Sequence, residues 1–245
     1  MKTRNLLPFV LLMTVPALNS FSQTIQANLN TERKAGATEV KMNSELFLLG
    51  TLNDYISRKR NTTEVNQFDS YHEGEKPLVN FIDSILKKDF NTALNKKYGI
   101  YFSEIMSKKM NAYYDGDHLI DSLLYSSTEN KLSFLLGVYF RNGEKINDNI
   151  YRIHLANSPK HANCYEILKQ LSCNNIYYKR IDNIPVSHIL YFEATPQIKQ
   201  FFAAINLEKD KLLQSSLTSA DARLAHEKYL KRENDKVDLL FRLPY

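Results

Sequence analysis

The sequence predicts an α+β protein in which a helical N-terminal half is followed by a small mixed or antiparallel sheet with packed helices. Between residues 43 and 127 the apolar residues recur three or four positions apart, as on one face of a helix. After Ser127 they recur at every second position, which is typical of strands. With 43% hydrophobic and 24% charged residues, the composition is that of a folded globular protein and excludes a disordered or fibrous chain.

The N-terminal residues have the layout of a secretory signal peptide. Lys2 and Arg4 precede an apolar run, and Ser22 is a small residue that suits cleavage. We therefore expect a signal peptide at residues 1–22 and a polar leader at residues 23–42. The apolar run is shorter than the roughly 20 residues of a membrane span, so no span is expected after cleavage. An uncleaved anchor is the alternative.

Residues 43–127 are predicted to form a helical subdomain. The apolar spacing and the capping residues predict successive helices, which begin near Asn43, Pro77, Asn91, Ser103 and Asp117. Asn, Asp and Ser are favoured N-caps, and proline fits the first turn of a helix.

Residues 128–245 are predicted to form an α+β subdomain that makes one continuous globular unit with residues 43–127. Alternating apolar residues predict strands over residues 132–140, 150–156, 176–181, 186–192 and 237–241. Between these strands, helices are predicted to begin near Ser158, Thr195 and Thr218. The last of these helices is expected to end near Glu233.

Two features make the strand prediction specific. Asn142-Gly143 is a dipeptide that favours a tight hairpin turn, and it follows the first predicted strand. At the other end of the subdomain, Val237, Leu239 and Phe241 alternate with polar residues. We expect this closing strand to return to the sheet.

The net charge of +5 is a mild surplus of basic residues. Adjacent basic residues such as Lys87-Lys88 and Lys96-Lys97 are expected at helix ends, where cations interact favourably with the helix dipole. A nucleic-acid surface would need basic residues on one face with aromatic residues between them. Because the chain is also expected to be exported, we expect no nucleic-acid partner.

Catalytic motifs with short signatures are missing from the chain. It contains no G-x-G-x-x-G, no P-loop and no G-x-S-x-G motif, so we expect neither a cofactor nor a serine-hydrolase site. His226-Glu227 matches the first half of the zinc motif H-E-x-x-H, but Leu230 replaces the second histidine. We therefore expect no zinc at His226.

The densest group of ionisable residues is Asp117, His118 and Asp121. Carboxylate and imidazole ligands together suit a borderline divalent ion, so these three residues are the candidate metal site. The alternative interpretation is structural, because Asp is favoured at helix starts and Asp-Gly is favoured in turns.

A second candidate site lies on the predicted strands. If the strands that carry Arg152, His154 and His188 are neighbours, the three side chains share one polar surface. This surface is the candidate ligand-binding face. Unrelated polar residues on a solvated sheet are the alternative.

Cys164 and Cys173 would meet an oxidising compartment after export. One straight helix would hold their Cα atoms about 13 Å apart, too far for a disulfide. A bridge requires the helix to end before Cys173, so a disulfide and two separate buried thiols both remain open.

Together these observations predict an exported protein that is secreted or periplasmic and acts by binding. Its expected partner is an envelope or extracellular protein or a surface ligand. The alternative is a secreted hydrolase whose site is assembled from scattered Asp, Glu and His residues.

Overall fold

A computed structural model describes residues 41–55, 58 and 66–241. The predicted signal peptide at 1–22 and nearly all of the polar leader at 23–42 lie outside the described residues, as do the last four residues of the chain.

The first half of the described chain combines short helices with short strands. Its elements are α1 (Ser44–Thr51), β1 (Gln67–Ser70), a 3-10 turn (Glu73–Glu75), α2 (Lys76–Phe90), β2 (Asn95–Lys97), β3 (Ile100–Phe102), α3 (Glu104–Asn111), β4 (Tyr114–Asp115), β5 (His118–Leu119) and α4 (Asp121–Leu124).

The second half has longer elements. They are α5 (Thr128–Asn142), β6 (Gly143–Lys145), β7 (Ile150–Ala156), α6 (Lys160–Gln170), β8 (Ile176–Ile181), β9 (Ser187–Glu193), α7 (Pro196–Ala203), α8 (Asn206–Ser216) and α9 (Ala220–Leu240).

All strand pairs among the described residues are antiparallel, and the predicted α+β class is confirmed. In the first half, the strand order is β1-β3-β2, with a separate β4-β5 hairpin. In the second half, the order is β6-β7-β9-β8. The strands β2 and β8, each of which follows the second helix of its half, therefore lie at the edge of their sheets.

The two halves share an order of elements that the sequence did not reveal. The second half reads helix, two strands, helix, two strands, helix from α5 to α7. The first half reads helix, one described strand, helix, two strands, helix from α1 to α3. In both halves, the first helix belongs to the core.

Helices α1 and α5 pack against each other through glycines. A Cβ atom on Gly50 would overlap the carbonyl oxygen of Phe134, and one on Gly137 would overlap that of Phe47. Since backbone atoms cannot rotate away as a side chain can, only glycine allows this approach. The surrounding core is aromatic, and the Phe47 ring centroid lies 5.9 Å from that of Phe140.

The predicted strand over residues 132–140 is wrong, because this stretch belongs to helix α5. Every residue from Leu132 to Phe140 is buried, including Ser133 and Gly137. A segment buried on all sides has no polar face, so the alternation of apolar residues does not distinguish strand from helix. Ser127 caps the helix by accepting a hydrogen bond from the Asn130 N–H at 3.0 Å. Asn142 and Gly143 end α5 and do not form a hairpin turn.

The predicted closing strand over residues 237–241 is also wrong. Helix α9 continues past Glu233 to Leu240. Val237 is fully buried while Leu239 is 69% exposed, so the two side chains lie on different faces. Phe241 packs with Val237 at a spacing of four residues, as expected for a helix.

The stretch 43–127 is not all helical. Asn91 has a φ of 47° and ends α2, where the sequence predicted the start of a helix. Gly99, with a φ of 79°, lies in the turn between β2 and β3. Gly116, with a φ of 58°, forms the turn of the β4-β5 hairpin, so the helix predicted from Asp117 begins only at Asp121.

Cys164 and Cys173 are both buried as free thiols. Cys173 follows the end of α6, so the helix does end between the two cysteines. In the part of the chain that the structure describes, none of the helices is both long and apolar enough to cross a membrane.

Candidate functional site

The four-stranded sheet has two different faces. Tyr151 of β7 contacts Tyr139 of α5 and Phe202 of α7, at centroid distances of 5.6 and 5.5 Å, so these helices pack on its side of the sheet. Because side chains alternate along a strand, Arg152 and His154 point to the opposite side. We call this side the outer face.

Directly paired residues of neighbouring strands share a face of the sheet. The outer face therefore carries two rows of side chains. The first row contains Tyr177, Tyr191, Arg152 and Glu144, and the second contains Lys179, Ile189 and His154.

Helix α9 covers the first row. Its Val237 is buried in an apolar cluster with residues of the sheet and its adjoining loop, and its Leu230 packs against that cluster. The second row stays partly open, because Lys179 and His154 are exposed. Desolvation and the nearby charge of Arg152 lower the pKa of His154, which favours a neutral imidazole.

Polar groups surround the apolar contact between α9 and the sheet. The Tyr191 hydroxyl donates a hydrogen bond to Glu233, and the ammonium of Lys236 donates to the Tyr191 oxygen at 2.6 Å. Arg152 lies between two carboxylates, 3.5 Å from Glu144 and 3.8 Å from Glu233. Glu144 and Glu233 therefore neutralise Arg152, the basic side chain of the covered row.

The edge strand β2 carries basic residues beside aromatic ones. Lys96 and Lys97 are exposed, and their ammonium groups lie 5.6 Å from the ring centroid of Tyr101 and 5.9 Å from that of Tyr98. Tyr98, in the adjoining turn, is 93% exposed. Strand β2 thus presents two cations and an aromatic face to solvent.

The edge strand β8 presents the same combination. Tyr178, Lys179 and Arg180 are exposed in succession. Lys179 points to the outer face, whereas its two neighbours point to the helix side. Arg180 pairs with Asp182 at 2.8 Å, but both side chains are largely in water, and such a pair contributes little.

Two histidines stack beside Tyr178 on the helix side. The ring centroids of His161 and His188 are 3.6 Å apart, and the Tyr178 hydroxyl is hydrogen-bonded to Nδ1 of His188 at 2.8 Å. Desolvation, together with the charges of His161 and Arg180, lowers the pKa of His188. The stack holds the Tyr178 ring in a fixed position at the sheet edge.

A separate group of buried charges lies at the end of α1. Arg141 donates to Asp69 and Glu75, each at 2.7 Å, and Lys160 donates to the Leu52 carbonyl at 2.7 Å and lies 3.7 Å from Asp54. The side chains of Lys160, Asp54, Asp69 and Arg141 are at most 7% exposed. The cations pair with the carboxylates and donate to carbonyl oxygens at the end of α1, so this cluster stabilises the fold. Because its side chains are buried, it presents no surface to a ligand.

The structure brings together two of the three residues predicted for a ligand-binding face. Arg152 and His154 both lie on the outer face, in adjacent rows. His188 pairs with Leu155 and therefore points to the helix side, where it contacts His161. The predicted three-residue surface is thus divided between two faces of the sheet.

The residues of the predicted metal site lie on three different elements. Asp117 is in the turn before β5, His118 is on β5 opposite Asp115, and Asp121 begins α4. Among residues 41–55, 58 and 66–241, no three His, Cys, Asp or Glu side chains are placed to hold a metal ion. Metal binding at Asp117, His118 and Asp121 remains a prediction. His226 lies 3.7 Å from Glu144 and belongs to the polar border of α9.

The sequence analysis predicted strand β8 but missed strand β2, the basic and aromatic character that the two strands share, and the position of Glu233. The runs Lys96-Lys97-Tyr98 and Tyr177-Tyr178-Lys179-Arg180 are visible in the sequence, and a basic-aromatic strand could have been inferred from them. No sequence signal could have placed Glu233 beside Arg152, because that contact depends on the path of α9 over the sheet.

No protein-family model and no curated protein sequence matches this chain. Several solved structures are similar to it, including the following three. The first is an I-DmoI variant in complex with its target DNA and in the presence of manganese, which is 14% identical, with a TM-score of 0.39, over 66% of this chain and 92% of that chain.

The second is the N-terminal LAGLIDADG domain of DUF199/WhiA, which is 17% identical, with a TM-score of 0.38, over 81% of this chain and 96% of that chain. The third is full-length DUF199/WhiA from Thermatoga maritima, which is 14% identical, with a TM-score of 0.38, over 87% of this chain and 73% of that chain. Every TM-score is below 0.5, so the function below is argued from the residues of this chain.

These comparisons correct four expectations from the sequence. Because a DNA complex is among the similar structures, we no longer exclude a nucleic-acid partner. We also withdraw three expectations: the envelope or extracellular partner, the secreted or periplasmic location, and the function as an exported binding protein or secreted hydrolase. The exclusion of nucleic acid had a physical weakness, because it placed Lys96-Lys97 at a helix end. The two lysines lie on an exposed strand beside tyrosines.

Proposed function

We propose that this protein binds nucleic acid through the edge strands β2 and β8. The observation that carries the proposal is that each strand exposes two adjacent cations beside an exposed tyrosine. The groups are Lys96, Lys97 and Tyr98 at β2, and Lys179, Arg180 and Tyr178 at β8.

The chemistry of these groups matches that of a nucleic-acid strand. Exposed lysine and arginine neutralise backbone phosphates and release counterions, which supplies most of the sequence-independent affinity. Tyrosine offers a flat ring on which an unpaired base stacks. Tyr98 is 93% exposed and offers its ring to such a base, whereas Tyr178, which is 41% exposed, offers the part of its ring that His161 and His188 leave uncovered. We therefore expect single strands to be bound at least as tightly as duplexes.

The edge strands have the same place in the two halves of the fold, since each follows the second helix of its half. Two equivalent basic and aromatic strands provide two contact points for one strand of nucleic acid. Binding through both is expected to be tighter than binding through either one, provided that a single ligand reaches both.

The experiment measures the affinity of the full chain for labelled single-stranded and duplex oligonucleotides by fluorescence anisotropy, at about 50 to 200 mM salt. A variant with Lys96→Ala, Lys97→Ala, Lys179→Ala and Arg180→Ala removes all four cations. If each contacts one phosphate of a single strand, the slope of log K against log salt should fall by about 3.

The matched control removes four exposed cations from helices, through Lys87→Ala, Lys88→Ala, Lys231→Ala and Arg232→Ala. It changes the net charge by the same amount and should keep most of the slope. Equal losses in the two variants, or no binding by the unmodified protein, would overturn the proposal.

A further inference from the structure

Glu233 of α9 is enclosed by hydrogen-bond donors. It accepts a hydrogen bond from the Tyr191 hydroxyl, and its Oε1 lies 3.3 Å from the ammonium of Lys236. Nε of Arg152 lies 3.8 Å from the other carboxylate oxygen. Although desolvation alone would raise the pKa of Glu233, the Tyr191 hydrogen bond and the charges of Lys236 and Arg152 bring it below its ordinary value. The groups around the carboxylate therefore favour an anion at this position.

Two of the three donors belong to the sheet and not to α9. Arg152 on β7 and Tyr191 on β9 are directly paired, so both side chains project from the outer face at the same level. Nε of Arg152 is buried and has no hydrogen-bond partner within the described part of the chain. A carboxylate 3.8 Å away leaves that donor unused, whereas a phosphate has more oxygens to offer.

The contact between α9 and the sheet combines a small apolar cluster around Val237 with the polar border described above. Val237 is the only buried residue of α9, and Leu224 and Leu239 of the same helix are exposed. Polar contacts can be exchanged for contacts with water or with a ligand at small net cost. The helix is therefore held over the outer face more loosely than an apolar interface would hold it.

The covered donors are continuous with the edge strand β8. Tyr177 of β8 is paired with Tyr191, which is paired with Arg152. Two strand spacings, roughly 10 Å, separate β8 from β7. Lys179 and His154 lie in the next row of the same face and are exposed. A ligand held at Lys179 thus lies beside the row that α9 covers.

We infer that the Glu233 carboxylate occupies a phosphate subsite on the outer face, formed by Arg152 and Tyr191, and that α9 thereby restrains ligand binding. A phosphate group takes this subsite when α9 moves aside. That the phosphate belongs to a nucleic-acid backbone rests on the proposed function. The subsite itself rests only on the contacts of Glu233.

The subsite is tested first with inorganic phosphate. Glu233→Gln removes the charge and keeps an oxygen that can accept from Tyr191. Glu227→Gln is the control, because it makes the same change of charge at an exposed position of the same helix. Phosphate should raise the melting temperature of Glu233→Gln more than that of the unmodified protein or of Glu227→Gln. Comparison with these two proteins corrects for the general stabilising effect of phosphate.

Adding Arg152→Gln to Glu233→Gln should abolish the extra phosphate response. A melt in chloride buffer verifies that each variant folds. If Glu233→Gln does not fold, Glu233→Asp replaces it, since it keeps the charge and withdraws the carboxylate by one methylene group. Equal phosphate responses of Glu233→Gln and Glu227→Gln would overturn the subsite.

The same variants are then titrated with a single-stranded oligonucleotide. Glu233→Gln should bind about tenfold more tightly than Glu227→Gln, since both variants lose one negative charge but only Glu233→Gln makes a further phosphate contact available. A phosphate response without any oligonucleotide binding would leave the subsite standing and refute the proposed function. Oligonucleotide affinities that are equal for the two variants would refute the restraint by α9.

Discussion

Helices α1 and α5 cross at their glycines, yet their C-terminal ends are stabilised in different ways. At the end of α1, Arg141 donates to the Thr51 carbonyl at 2.9 Å and also pairs with Asp69 and Glu75. At the end of α5, the ammonium of Lys209 donates to the carbonyls of Tyr139 and Phe140 at 3.1 and 2.8 Å. Both cations donate to carbonyl groups in the last turn of their helix, although the Tyr139 carbonyl also accepts from the Gly143 N–H.

The difference lies in the anions beside each cation. Burial alone would lower the pKa of Arg141, but Asp69 and Glu75 raise it well above the ordinary value. Burial lowers the pKa of Lys209 to about 8, and only the more distant charge of Glu144 opposes this. The carboxylates beside Arg141 therefore outweigh the effect of burial on its pKa, whereas Glu144 does not outweigh it for Lys209.

Removing the paired cation should have the largest effect. Arg141→Met leaves Asp69 and Glu75 without their partner in a buried site, and we expect the free energy of unfolding to fall by about 3–5 kcal/mol. Chemical denaturation followed by circular dichroism measures the change. The exposed Arg232→Met on α9 is the control and should change stability by less than about 0.5 kcal/mol. A loss of that small size for Arg141→Met would show that the charge cluster does not support the end of α1.

The free lysine should give a pH-dependent effect of intermediate size. Unfolded lysine holds its proton up to about pH 10.4, whereas folded Lys209 loses its proton from about pH 8. Between these values the unfolded chain binds more protons, so the stability of the protein rises with pH relative to a chain without this lysine. The cost of the buried charge is fully present below pH 8 and is relieved above it.

We therefore expect the difference in unfolding free energy between the protein and its Lys209→Met variant to shift by about 2–3 kcal/mol from pH 7 to pH 10, in favour of the protein. Denaturation series at each pH measure this difference. Lys228→Met, at an exposed position of α9, should show no such shift. A difference that does not change with pH would mean that Lys209 keeps an ordinary pKa in the fold.

The sequence predicted the second half of the fold better than the first. Strands β7, β8 and β9 and helices α6 and α7 were predicted close to their observed bounds. Burial follows one face of β7, α6 and α7, whereas β8 and β9 are rich in β-branched and aromatic residues, which favour strands. Helix α5 was predicted as a strand, since all its central residues are buried and no polar residues marked a face. In the first half, the short strands Asn95–Lys97 and Ile100–Phe102 contain no buried residues.

The candidate site was predictable only in part. Arg152 and His154 could be placed on one face because they are two residues apart on a clearly patterned strand. His188 could not, because which side of β9 faces Arg152 depends on the pairing register, and a shift by one residue reverses it. The contact of Glu233 with Tyr191 joins residues 42 positions apart, and local spacing carries no information about it.

The N-terminal ends of the same two helices should differ least. Asn43 caps α1 by accepting from the backbone N–H groups of Glu45 and Leu46 at 3.1 and 3.2 Å, and its amide also donates to Asn130 at 2.9 Å. Ser127 caps α5 by accepting from the Asn130 N–H alone, at an exposed site.

Because replacing such a cap by alanine typically costs about 1 kcal/mol, we expect about 1–2 kcal/mol for Asn43→Ala and about 0.5–1 kcal/mol for Ser127→Ala. Ser122→Ala, at an exposed position of α4, should cost less than either variant. If Ser127→Ala proved as costly as Asn43→Ala or more so, the additional bond from Asn43 to Asn130 would add no stability to the start of α1.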